Sequence, residues 1–139
     1  KEYDGNLDGF MGDALENINK MSQKEIDYIH DTFDRSMQIC YKLLGDTAFK
    51  RPDPQKPNSF LKTNKAIFEV LSVSIAHLSA SEQEILVQRK NRFQNDIYSL
   101  FKNETFIKSI TSGTAKTPQV EYRHTKVQEL IKQVISYDN

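Results

Sequence analysis

Between Ile26 and Leu44 a set of six apolar residues recurs at steps of 3, 4, 4, 3 and 4. They are Ile26, Ile29, Phe33, Met37, Cys40 and Leu44. That spacing draws one stripe along a helix and fits no strand. Ser22-Gln23-Lys24-Glu25 just before it is a capping box, in which the hydroxyl takes an amide of the first turn and Glu25 reaches back. Gly45 just after it suits a helix end.

The same period runs through the rest of the chain. Phe10, Met11, Leu15 and Ile18 mark a short amphipathic helix over about 8–20. From about 60 to 78 the apolar positions Ile67, Phe68, Val70, Leu71, Val73, Ile75 and Leu78 cover most of the circumference, which predicts a central, buried helix. Ser81-Glu82-Gln83-Glu84 reads as a second capping box, followed by a helix carrying Ile85, Leu86, Arg89, Phe93, Ile97, Leu100 and Phe101. A short helix is expected over 104–110. A last one begins with Thr117 as its cap and Pro118 in its first turn, and buries Val120, Val127, Leu130, Ile131 and Val134. Residues 46–59 interrupt this pattern. Pro52, Pro54 and Pro57 forbid a helix there. The expectation is all-α: one helical domain over 1–139, an irregular bundle of about five helices with a long Pro-rich loop.

Composition narrows the functional classes. Nineteen basic and nineteen acidic residues balance to zero, which argues against a wholly basic nucleic-acid binder. The single cysteine, Cys40, excludes an internal disulfide and any multi-cysteine metal centre. No apolar run is long enough to span a membrane. The chain opens on Lys1 with no signal-peptide pattern, so it is expected to be a piece of a longer cytoplasmic protein. Charge is segregated. Residues 1–34 hold 3 basic and 9 acidic side chains, net −6, whereas 35–65 hold 7 and 2, net +5.

No catalytic constellation assembles from the sequence. His30, His77 and His124 share no metal-binding spacing. His30 with Asp31 and Asp34 is the poorest of three functional candidates, one edge of a metal site, and a solvated helix face explains it as well. Asp27, Asp31 and Asp34 likewise share an outer face. Cys40 lies on the apolar stripe, where a thiol is normally a small hydrophobe. Phosphate-cradling glycine loops and a nucleophile elbow are absent. Neither a metal nor a cofactor is implied. The basic stretch Lys50, Arg51, Lys56, Lys62 and Lys65 is the feature with most chemical content. Such cations near a helix start can hold a phosphate or touch a nucleic-acid backbone. The competing reading is a solvated loop whose Arg51 pairs with the acidic helix. Phe49 and Phe60 read as loop anchors, not as base-stacking platforms.

Leu44-Gly45-Asp46-Thr47-Ala48-Phe49-Lys50-Arg51-Pro52, then Asn64-Lys65-Ala66-Ile67-Phe68-Glu69, resembles the C-terminal part of a large bacterial family. Its members carry an N-terminal ParB/sulfiredoxin-like domain with an Asp-Gly-Gln-Gln-Arg motif, and include GmrSD-type restriction proteins and related phage-defence proteins. Phe106-Ile107-Lys108-Ser109-Ile110-Thr111-Ser112-Gly113-Thr114 and Val120-Glu121-Tyr122-Arg123 resemble the family's closing segment. The likeness spans about 22–135. Lys50 departs from it, standing where the family has Arg and losing the bidentate fork. The Asp-Gly-Gln-Gln-Arg motif and any His-Asn-His nuclease signature are missing. The resemblance therefore implies a non-catalytic helical C-terminal domain whose partner is the N-terminal domain of its own longer chain. DNA is a possible second partner, and no membrane is implied. Arg51, Asn64, Lys65 and Arg123 match polar positions of the family's motifs, and they are expected to form one cluster with either a packing or a phosphate-binding role. A direct nucleic-acid-binding module using the basic loop is the alternative.

Overall fold

A computed structural model describes residues 2–137 of the chain. It has seven α-helices: α1 (Leu7–Asn19), α2 (Gln23–Leu44), α3 (Lys65–Ala76), α4 (Ala80–Gln88), α5 (Lys90–Leu100), α6 (Glu104–Thr111) and α7 (Thr117–Ser136). Among the described residues there is no strand, only one antiparallel bridge between Pro52 and Phe60. The all-α expectation holds, and the count of about five is too low.

One of the additional helices comes from a break at Arg89. The apolar spacing over 82–101 is continuous, yet Arg89 leaves the helical region with ψ at 27° and divides α4 from α5. Its side chain explains why. The guanidinium donates to the carbonyls of Val134 (2.9 Å) and Ile135 (2.6 Å), closing the end of α7. The second capping box is also displaced. Ser79 and Ser81 each have a glutamate three residues on, and it is Ser79 that takes the extended cap conformation and pairs with Glu82. The box at Ser22 and Glu25 forms where it is expected. The last helix starts one residue early, with Lys116 at the cap and Thr117 already helical.

The central helix begins at Lys65, not at 60, because the backbone before it is paired elsewhere. Asn64 N–H donates to Phe49 O (2.8 Å), Leu61 N–H to Arg51 O (3.0 Å) and Asp53 N–H to Ser59 O (2.9 Å). The Pro-rich segment is thus an irregular hairpin. Phe49 sits in its left-handed corner at φ 66°, held by an edge-to-face contact with Phe68 at 4.9 Å. Gly45 meets the same demand at the end of α2, with φ 58°.

The core gathers around α3, which packs against α2, α6 and α7. Leu43, Ile67, Leu71, Ile75, Leu86, Phe93, Ile97, Phe106, Ile110, Val127 and Val134 are its fully buried large side chains, with Val70 among them. Side chains from one helix close the C-terminal carbonyls of another. Gln94 donates to Leu43 O of α2 (2.7 Å), Gln83 to Ile75 O of α3 (3.0 Å) and Asn64 to Ile110 O of α6 (2.8 Å), as Arg89 does for α7. Each bond gives a carbonyl near a helix end a partner from another element, and fixes the two elements to each other.

Candidate functional site

The polar residues singled out by sequence fall into separate places. Asn64 caps α3, accepting from Ile67 N–H at 2.9 Å, while its amide nitrogen holds Ile110. One turn on, Glu69 faces α7. Its carboxylate accepts from Arg123 at 2.9 and 2.8 Å and lies 2.5 Å from His124 Nε2. Arg123 also donates to Thr114 O (2.7 Å) and Ser109 O (3.3 Å). Asn64 and Arg123 therefore meet at the last turn of α6, through Ile110 and Ser109. Arg123 is only 5 % exposed, and its guanidinium is occupied by protein partners. The arrangement fastens α3, α6 and α7 together.

Burial raises the Glu69 carboxyl, but the hydrogen bonds and charges of His124 and Arg123 outweigh it and hold the group below its ordinary value. Sequence reasoning treated Glu69 only as the end of a motif. Its signal was present: it is the one carboxylate in a helix that is apolar nearly all round. Arg123 was legible too, standing between Val120 and Val127 on the buried stripe of α7.

Lys65 is exposed beside a shallow pocket of about 450 Å³ that Arg123 also lines, with Tyr3, Leu7, Phe10 and Met11 on its other wall. Lys50 is half-buried at the start of the hairpin. Arg51 faces a different cleft, of about 660 Å³, between the hairpin and the α5–α6 corner. Tyr98, Phe101, Lys102, Glu104 and Lys108 share that cleft. Arg51 and Arg123 thus line different hollows. Cys40 is buried in the core, and burial pushes its thiol up to about 12, where it is inert. His30 lies 3.5 Å from Asp34 and 3.8 Å from Asp31 on an exposed surface, where such pairs contribute little. Among the described residues no group of three or more His, Cys, Asp or Glu is placed to hold a metal ion. Nor is any helix among them long and apolar enough to cross a membrane.

The stripe that opens α2 is not buried along its whole length. Ser36, Ile39, Cys40 and Leu43 are buried, but Ile26, Ile29 and Phe33 are exposed. In α1 no residue is buried at all, although Leu7, Phe10, Met11, Leu15 and Ile18 follow a helical stripe. Leu15 is 59 % exposed and Phe33 49 %. The start of α1 is anchored through an edge-to-face contact of Phe10 with Tyr3 at 5.5 Å and a hydrogen bond from Tyr3 Oη to Ala115 O.

No family model, curated protein or solved structure matches the chain.

Proposed function

We propose that the chain is a non-catalytic helical region of a larger bacterial restriction or phage-defence protein, as its motif resemblance implies. In this reading it supports the N-terminal domain of that protein through α1 and the first half of α2. The observation that carries the reading is α1, a 13-residue amphipathic helix none of whose residues is fully buried. Helices of that length are marginal on their own and take their stability from packing. Burying the exposed halves of its five large apolar side chains is worth about 5 kcal/mol. Exposed apolar surface of this kind ordinarily marks an interaction site.

Charge selects the occupant. Residues 7–34, which carry both stripes, hold seven acidic side chains against two basic ones, Lys20 and Lys24. A second copy of this chain would bring the same carboxylates against these acidic groups. The complementary surface is apolar with a Lys/Arg rim, supplied by another part of the longer protein. Reading the gene upstream of the Lys1 codon tests this. An open frame that encodes an Asp-Gly-Gln-Gln-Arg domain is expected. A start codon immediately before Lys1, or nuclease or nucleoside-triphosphate turnover by this chain alone, overturns it.

A further inference from the structure

The cleft beside Arg51 has a composition unlike the other hollows of the molecule. Three cations converge on it from three segments: Arg51 from the hairpin, Lys102 from the α5–α6 turn and Lys108 from α6. Only one carboxylate, Glu104, lies among them. Among the described residues, no ion pair or side-chain hydrogen bond engages any of the three cations. The walls between them are apolar and partly aromatic. Tyr98 leans on Phe60 with centroids 6.2 Å apart, and Phe101 on Phe106 at 6.0 Å, so both rings are held in place from behind. The volume, about 660 Å³, falls within the roughly 300–1,000 Å³ typical of ligand sites.

We propose that this cleft binds single-stranded nucleic acid, taking an unstacked base against Tyr98 and Phe101 and the flanking phosphates on Arg51, Lys102 and Lys108. Aromatic platforms edged by cations are how such strands are held without sequence reading. A duplex keeps its bases stacked and cannot offer one to the rings. The same hairpin segment carries Lys50, Lys56 and Lys62 as well, and this further cationic charge favours a strand with several phosphates over a free nucleotide. The sequence alone hid the site, because its rings and two of its cations lie about fifty residues from Arg51. The proposal does not depend on the α1–α2 face, and either can fail without the other.

Fluorescence anisotropy with a labelled thymidine dodecamer tests it on the intact chain. Saturable binding at low salt is expected, with log K falling against log salt at a slope of about −2 for three phosphate contacts. Binding to a duplex of equal length is expected to be weaker. Arg51→Ala with Lys108→Ala should weaken binding about tenfold or more, and Glu104→Gln should tighten it. Tyr98→Leu keeps apolar packing but removes the ring, and should cost about fivefold or more. Lys132→Ala, on the far end of α7, should change nothing. Circular dichroism confirms that each variant is folded. Absence of saturable binding overturns the proposal. So does equal binding to duplex, an equal loss in Lys132→Ala, or an unchanged affinity in folded Tyr98→Leu.

Discussion

Replacing Arg123 by Met puts the bundle's polar fastening to the test. Methionine keeps much of the apolar stem but removes the cation. Three partners are then left: the Glu69 carboxylate and the carbonyls of Ser109 and Thr114. Removing one side of a fully buried pair costs about 3–5 kcal/mol. Glu69 is 38 % exposed and keeps His124, so its carboxylate recovers water and the cost falls to the low end, about 3 kcal/mol. For a chain of 139 residues that lowers Tm by about 10 °C. Thermal and urea unfolding followed by circular dichroism would read it. Glu69→Gln completes a double-mutant cycle, and the double variant should lose less than the sum of the singles by about 1 kcal/mol or more. Acid sharpens the same test. Glu69 is ionised more readily in the folded chain than its ordinary 4.5, so its contribution is complete above that pH and is lost as pH falls through the lower folded value. The wild-type chain should lose stability in that acid range more steeply than Glu69→Gln does. A loss below about 1 kcal/mol in Arg123→Met, or additivity in the cycle, would refute the reasoning.

Three further outcomes are expected. Ser74 Oγ is buried with no hydrogen-bond partner among the described residues, so Ser74→Ala should raise stability by about 1 kcal/mol in urea unfolding. Cys40 should resist thiol reagents at neutral pH while the chain is folded and react at once in denaturant, as its burial dictates; rapid labelling of the native chain would contradict its placement. Leu15→Gln and Phe33→Gln should each cost the isolated chain about 1 kcal/mol or less, because about half of each side chain already meets water. A large loss in either would mean that these residues are buried against something.

Periodicity carried most of the fold, and failed where a single residue had two local solutions. The stripe from Ile26 to Leu44 does form one helix, but the pattern is silent on whether its first half meets the core or the solvent. Arg89 sits in register with the apolar positions of 82–101, yet its guanidinium meets the open carbonyls of α7 and its backbone leaves the helix. Ser79 and Ser81 both spell a capping box, and the end of α3 at Ala76 favours the earlier one. The Pro-rich stretch was legible as non-helical, whereas its pairing of 49–53 with 59–64 depends on backbone bonds that residue types do not announce. Of the site residues, Arg123 and Asn64 were visible as polar groups in telling positions. Glu69 was visible as the lone acid of an apolar helix. The grouping of Arg51 with Tyr98, Phe101, Lys102 and Lys108 arises only when the hairpin folds against the α5–α6 corner.

Hydrogen exchange over residues 7–33 tests the supporting role most directly. It should be measured on the isolated chain and on the complete product of its gene. In the isolated chain the amides of α1 should exchange nearly as fast as in an unfolded peptide, while those of α3 and α7 stay protected. In the complete product, α1 and the first half of α2 should become protected as their apolar stripes are covered. Equal exchange of these two segments in both samples would contradict the account.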